Sequence, residues 1–252
     1  MNWQDLISGA GQIHRLQTDG MNVHESRQDN TYPSLLSLPS TPLHPRCILF
    51  DLDGVLVDTR SIIAKALWYV ANVLKVEPHS EDERLAAAVL SPRKAVGNLF
   101  PEHAEALTIL QAGIKKYAHE LAPCSGVKKL LEQCADERIA VVTSRNQADA
   151  DLYLSWSCLS HFFQIVITWG QTSRHKPHPD PLIAAARRLG QTTGIYIGDT
   201  PNDMIAAKAG GFYPIGAIWA SQWSGTELIE AGAAFVADQP GAIFDHLLEK
   251  EA

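Results

Sequence analysis

The 252-residue chain has no apolar run near the ~18 residues that a membrane-spanning helix needs. Its opening residues lack a basic stretch followed by an apolar one, so no secretory signal is expected. Acidic Asp5, Asp19, Glu25 and Asp29 argue against an organellar transit peptide. Cysteine is sparse, and Cys47, Cys124, Cys134 and Cys158 form no C-x-x-C pair. That spacing argues against a disulfide scaffold or a structural zinc site and fits free thiols in a reducing cytoplasm, the expected location. Basic residues are outnumbered, 21 against 28, for a formal charge of -7. Such a balance gives no electrostatic footprint for a nucleic-acid partner, and nothing marks a membrane partner.

What is present is enough apolar material for a core. Hydrophobic residues make up 46% and charged residues 19%, a globular composition sized for one to two domains. Residues 1–45 stand apart, rich in Ser, Gln, Asn, His and Pro, with four prolines between Tyr32 and Pro45. They are expected to be an irregular N-terminal extension without chemistry.

From Arg46 onward short apolar runs recur at Cys47–Phe50, Ile139–Val142, Ile165–Ile167, Ile195–Ile197 and Ile215–Ile218. Each is too short for a helix and ends at a polar residue or Gly, as strands buried on both faces do. Helical patterns separate most of them. Strands alternating with helices predict an α/β fold with a parallel sheet and helices on both faces. The interval after the first strand breaks the alternation. Ser61–Val76, Glu81–Leu90 and Glu102–Leu121 read as helices with no strand between them. The expected layout is a core of residues 46–59 and 123–252 with a small all-helical domain, 60–122, inserted over the C-terminal edge of the sheet. That edge is where open α/β sheets bind ligands.

The chemistry concentrates at strand ends. Asp51-Leu52-Asp53-Gly54 puts two carboxylates directly after the first strand, and Gly198-Asp199-Thr200-Pro201-Asn202-Asp203 puts two more around the end of another. In a parallel sheet these ends share one edge, so the four can converge although they are far apart in sequence. Gathered carboxylates repel one another unless a cation intervenes, and an all-oxygen donor set selects a hard ion, Mg²⁺ being the natural choice. Asp51, Asp53, Asp199 and Asp203 are the candidate metal residues. Thr143 and Ser144 end another strand and can donate to a phosphate oxygen. Lys176, in the loop Arg174-His175-Lys176-Pro177-His178-Pro179, supplies a cation for phosphate and nucleophile together. His175, His178 and Asp180 are close enough to raise a transition-metal site, but a loop with surface histidines is the simpler account.

In this order, Asp51–Thr59, Thr143, Lys176 and Gly198–Asp203 resemble the four motifs of the haloacid dehalogenase superfamily of phosphohydrolases. The likeness covers about residues 46–248, and the helical insertion is similar to the C1 cap of its phosphoglycolate-phosphatase-like group. The resemblance implies a Rossmann-like core with a cap domain, and a Mg²⁺-dependent phosphatase acting on a small phosphorylated metabolite, as a monomer or homodimer. By the same likeness Asp51 would be the nucleophile that forms an aspartyl-phosphate. Asp53 would act as acid and then base, and would offer its carbonyl to Mg²⁺. Asp199 and Asp203 would serve the metal, and Thr143, Ser144 and Lys176 the phosphate. Ser144 departs from the frequent Asn, and Gly170-Gln171-Thr172 lacks the acidic residue often found there. Arg93, in the insertion, is the expected contact for an anionic group of the leaving molecule. A dehalogenase of this superfamily lacks the second aspartate, so Asp53 speaks for phosphorus. A sugar-phosphate mutase, or a non-catalytic binding protein on the same fold, are the alternatives.

Overall fold

The computed structural model describes residues 47–90 and 92–249. The N-terminal extension expected over residues 1–45 lies outside the described residues. Six strands form one parallel sheet: β1 (Ile48–Phe50), β2 (Ile139–Val142), β3 (Ile165–Ile167), β4 (Ile195–Gly198), β5 (Tyr213–Ala217) and β6 (Phe235–Ala237), in the order β3-β2-β1-β4-β5-β6. The chain starts in the middle, runs outward through β2 and β3, then returns to the other side of β1 for β4. The sheet therefore changes direction between β1 and β4, and the crevice outside their C-terminal ends is the place where such sheets hold ligands.

Alternate residues of the strands face two separate apolar clusters. Ile48, Phe50, Ile139, Val141, Ile195 and Ile197 lie in one. Cys47, Leu49, Ala140, Val142 and Tyr196 lie in the other, against Leu182, Ala185 and Ala186 of α7 (Asp180–Arg188) and Ala206 and Ala207 of α8 (Pro201–Ala209). Residues of α5 (Val127–Gln133), α6 (Gln147–Trp156) and α10 (Pro240–Glu249) join the first. A short α9 (Gly225–Glu230) precedes β6. The central strands are buried throughout, whereas β3 and β6, at the edges, are half-open.

Between β1 and β2 the structure is helical, as its patterning predicts: α1 (Thr59–Leu74), α2 (Glu81–Ala88), α3 (Pro92–Leu99) and α4 (Ala106–Tyr117), then a 3₁₀ turn at Ala118–Glu120. α1 packs on α2 and α4. α1 begins two residues before its apolar pattern because the Asp58 carboxylate accepts from the Arg60 amide and caps it. Ser80 and Glu83 close α2 with a capping box. α3 is an addition to the sequence expectation; it is short, and Gly97 weakens its helical signal. The chain leaves the sheet at Val57 and returns at Pro123, and these two residues pair in an antiparallel bridge, with the Cys124 amide donating to the Leu56 carbonyl at 2.9 Å. Both ends of the insertion thus meet at one place beside the strand-end crevice.

β5 starts two residues before the Ile215 run, because Pro214 masks its signal; proline inside an apolar run argues against a strand. β6 is the sixth strand that the apolar runs did not announce. Pro179 holds the cap position of α7, and Asp180, the first residue of that helix, pairs with Arg174 at 3.0 Å.

Gly194 enters β4 against β1. A Cβ there would stand 2.1 Å from the Cys47 carbonyl oxygen and 2.7 Å from its Sγ. Gly194→Ala should therefore cost about 3 kcal/mol of stability through overpacking. Gly97→Ala, with open space around it on α3, should gain about 0.5–1 kcal/mol. Urea denaturation of both variants checks this, and equal effects would contradict the packing described.

Candidate active site

Asp51 follows β1 directly. Its amide continues the sheet by donating to the Ile197 carbonyl at 2.8 Å, and its Oδ1 accepts from the Leu52 amide at 2.8 Å. The carboxyl is thereby aimed along the strand axis into the crevice. Lys176 reaches the same place from the loop before α7. Its ammonium lies 3.1 Å from Asp51 Oδ1 and 2.7 Å from Asp203 Oδ1, and donates to the Tyr196 hydroxyl at 2.9 Å. The Lys176 side chain is only 6% exposed, so this cation is held away from water.

Asp203 sits in the first turn of α8, where Thr200 and Asp203 form a capping box. Its four acceptor positions are filled. Oδ1 takes Lys176 and the Tyr196 hydroxyl at 3.0 Å, and Oδ2 takes the Thr200 amide at 3.0 Å and hydroxyl at 2.7 Å. With those positions filled, Asp203 acts as an anchor for Lys176. Asp199 ends β4. Its backbone carbonyl accepts from the Ser221 hydroxyl at 2.7 Å, and its carboxyl lies against Gly54, where a Cβ would come within 2.1 Å of Oδ2. Gly54 also has φ +72°, so the close turn after Asp53 needs glycine twice over.

One oxygen each from Asp51, Asp199 and Asp203 falls within 4.8 Å of the others. Three carboxylates against one ammonium leave two negative charges uncompensated when all are ionised, the charge of one divalent cation. The strain of that excess shows in the acids themselves. Burial first, then the charges of Asp203 and Asp53, pushes Asp51 up to about 7 although Lys176 pulls the other way. Burial, with Asp203 and Asp51, holds Asp199 well above the usual carboxylate range. Burial works against the Lys176 charge, but Asp203 and Asp51 outweigh it and keep the amine protonated. Burial and Asp203 likewise raise the Tyr196 phenol, so it remains a donor. An all-oxygen set with this charge deficit fits Mg²⁺, which is bound through one or two carboxylates with several waters retained.

Asp53 stands outside that group. Its carboxylate is taken by Arg145 in a bidentate pair, Nη2 to Oδ1 at 2.8 Å and Nε to Oδ2 at 3.0 Å, and by the hydroxyl of Thr59, the first residue of α1. Burial raises Asp53, but the Arg145 charge and hydrogen bonds prevail and hold it below the usual carboxylate range. Arg145 is the residue that sequence reasoning passes over, in the Thr143-Ser144-Arg145 run. A signal for it exists: a basic residue two places beyond a strand end shares the edge with everything else that ends there.

Thr143 is buried, its amide committed to the Ile167 carbonyl at 2.9 Å and its Oγ1 accepting from the Arg145 amide at 3.1 Å, which leaves its hydroxyl proton to give. Ser144 is exposed at the same edge. Arg93 is exposed on the first turn of α3 and takes part in none of these hydrogen bonds or ion pairs. His175 stacks on Trp169, with ring centroids 3.5 Å apart, and Asp180 is engaged by Arg174. Among the described residues, the metal-competent group is Asp51, Asp199 and Asp203. A further brace escapes the sequence reading: the Trp219 indole N–H, just past β5, donates at 2.9 Å to the carbonyl of Val55, next after Gly54.

The sequence profile of the haloacid dehalogenase-like hydrolases matches residues 48–217. The chain belongs to that family. Within it, the chain is a hydrolase of the phosphoglycolate-phosphatase-like kind. It is 29% identical over 204 residues to a phosphoglycolate phosphatase of Xylella fastidiosa strain 9a5c, covering 73% of this chain and 85% of the relative. It is 30% identical over 191 residues to the phosphoglycolate phosphatase of strain Temecula1, covering 69% and 81%. A crystal structure of a candidate β-phosphoglucomutase from Thermotoga maritima superposes with a TM-score of 0.72 at 25% identity, covering 81% of this chain and 98% of that one. Among the described residues no helix is long and apolar enough to cross a membrane.

Lys176→Met should remove the cation that touches Asp51 and Asp203 and lower the unfolding free energy by about 3–5 kcal/mol at pH 8. Because Asp51 is raised, it takes up a proton as the pH falls through about 7, and Lys176 then has one anion fewer to neutralise. The deficit should be largest above pH 7 and shrink at pH 5, as measured by urea denaturation of metal-free protein. A deficit that grows on acidification would contradict the ion cluster.

Proposed function

We propose that this protein hydrolyses a small phosphate monoester in a Mg²⁺-dependent reaction that passes through an aspartyl-phosphate on Asp51. The observation that carries this reading is the set of three carboxylates around one buried ammonium at the β1–β4 crevice, with a net deficit that one divalent cation cancels. Asp51, Asp199 and the Asp53 carbonyl are the groups proposed to hold Mg²⁺, with Asp203 acting on it from behind through Lys176 or water. When bound, the ion supplies positive charge to the phosphoryl oxygens and so lets an anionic nucleophile approach.

The chain's own residues do the rest. Lys176 fixes the Asp51 carboxylate and faces the phosphoryl group, and the Thr143 hydroxyl, with Ser144 beside it, donates to a phosphoryl oxygen. An Asp51 oxygen attacks phosphorus, the P–O bond to the leaving group breaks, and Asp53, which takes up a proton from solvent once Arg145 has left it, gives that proton to the leaving oxygen. Asp53 then takes a proton from water, whose oxygen attacks phosphorus, and the bond to Asp51 breaks to release phosphate and restore the carboxylate. The helices from α1 to α4, entering and leaving beside the crevice, are proposed as a cap domain that covers it. The free thiols of the described cysteines support a cytoplasmic setting.

Asp51→Asn should keep its fold by circular dichroism and lose roughly a thousandfold or more of Mg²⁺-dependent p-nitrophenyl phosphate hydrolysis. Retained activity would end this reading. The resemblance to a mutase structure makes one further arm of that assay informative: glucose 1-phosphate should yield free phosphate, not its isomer. Mg²⁺ binding should also be linked to pH. Burial and neighbouring carboxylates hold Asp51 near 7, so below that value a proton must leave as the ion enters. Apparent Mg²⁺ affinity should fall as the pH drops from 8 to 6, and calorimetry in buffers of different ionisation enthalpy should register proton release at pH 6.

A further inference from the structure

Asp53 presents a difficulty for the reaction as proposed. A group that must meet the leaving oxygen has both of its own oxygens occupied, Oδ1 by Thr59 and Arg145 and Oδ2 by Arg145. While this pairing lasts, Oδ2 keeps a single acceptor position, and the carboxylate, held ionised by the guanidinium, has no proton to offer the leaving oxygen. Something in the bound complex must take the guanidinium away, and a guanidinium is displaced from a carboxylate by another anion of suitable shape.

Arg145 is built for such a transfer. It spends Nε and Nη2 on Asp53, while Nη1 donates to no described residue. The guanidinium lies over the Tyr153 ring, 5.3 Å from its centroid, which supports its plane without holding its ends. The backbone beneath it is tied at both sides. Its amide donates to Thr143 Oγ1 at 3.1 Å, and its carbonyl accepts from the Trp169 amide at 2.8 Å. The root of the side chain is therefore fixed, and the side chain as a whole is 19% exposed. It is also well placed. A guanidinium hydrogen-bonded to Asp53 lies within two hydrogen-bond lengths of any oxygen that Asp53 itself can reach. The other buried cation, Lys176, is committed to Asp51 and Asp203. Arg93, the cation first expected to meet the leaving group, makes no contact with this cluster.

We propose that Arg145 reads a negative charge on the leaving group: held on Asp53 in the free enzyme, it moves onto a carboxylate or second phosphate of the bound ester and so frees Asp53 for the leaving oxygen. This inference rests on the phosphatase reading above. It makes Arg145 a specificity-determining residue, and it selects esters whose leaving group carries an anion close to the ester oxygen over neutral alkyl esters. Arg suits that task because its planar fork grips a carboxylate or phosphate with two parallel hydrogen bonds, the geometry it already makes with Asp53.

The test compares 2-phosphoglycolate with ethyl phosphate, a pair that differs by a carboxylate in place of a methyl group. Both are assayed with Mg²⁺ on the full-length protein, wild type, Arg145→Gln and Arg145→Lys. Wild type should prefer the carboxylate ester in kcat/KM by roughly tenfold or more. That ratio should collapse toward one in Arg145→Gln, mainly through KM for the carboxylate ester, and should be partly restored in Arg145→Lys. If Arg145→Gln lowers both substrates by the same factor, or leaves the ratio intact, Arg145 merely props Asp53 and the proposal is overturned. A wild type without any preference between the two esters would overturn it as well. Failure of wild type to release phosphate from either ester or from p-nitrophenyl phosphate is a different outcome, one that removes the phosphatase reading itself.

Discussion

The buried ammonium of Lys176, wedged between Asp51 and Asp203, is the interaction on which the site depends. Taking charges out of water is costly, and that cost is offset only where partners are close and every donor and acceptor is used. Here the mutual satisfaction is nearly complete: Asp203 has its acceptor positions filled, Tyr196 adds a hydroxyl, and Lys176 touches both acids. The elements that meet at this point are the end of β1, the loop before α7, the middle of β4 and the first turn of α8. A shift in any one of them would strand a charge in an apolar surrounding, so the cluster fixes the relative placement of the strands as firmly as the apolar contacts below it do.

The charges at the strand ends divide into two groups of different character. Asp53 with Arg145 is a neutral pair, closed on itself. Asp51, Asp199 and Asp203 with Lys176 carry an excess that only an outside cation can relieve. Two carboxylates separated by a single residue thus live in opposite environments, one raised and one lowered. The structural cause is local. Asp51 follows the strand directly and continues its pairing with β4, while Gly54 turns the chain immediately after Asp53 and Thr59 draws the Asp53 carboxyl toward the start of α1. In the metal-free protein the two environments are the reverse of what an ionised nucleophile and a proton donor need, so a cation beside Asp51 and the release of Asp53 from Arg145 are both required before the proposed roles can be taken up.

Much of this is legible in the sequence, for identifiable reasons. Strands buried on both faces announce themselves as short Ile and Val runs, and β1 to β4 are readable that way. The parallel sheet makes it possible to place Asp51, Asp199, Thr143 and Lys176 at one edge before any coordinates. The interruption between β1 and β2 is readable because amphipathic spacing replaces apolar runs. What resists are features that depend on partners distant in sequence. Pro214 and the half-open position of β6 obscure the last strands. The Arg145–Asp53 pair needs a rotamer and a neighbour on another strand. The Trp219 brace on Val55 needs a loop to fold back over the turn at Gly54. A side chain's residue type is written in the sequence, but its partner is decided by packing.

The strand order has a consequence for how the chain is made. β1 is one of the two central strands and the first of the six to leave the ribosome, yet its two neighbours are β2 and β4. Until β4 has emerged, one side of β1 is an unpaired edge with nothing to cover it, the condition under which nascent α/β chains stick to one another. Asp51 therefore leaves the ribosome long before the strand that completes its surroundings. Rapid translation or chaperone engagement over the stretch between Val142 and Ile195 would shorten or cover that exposure.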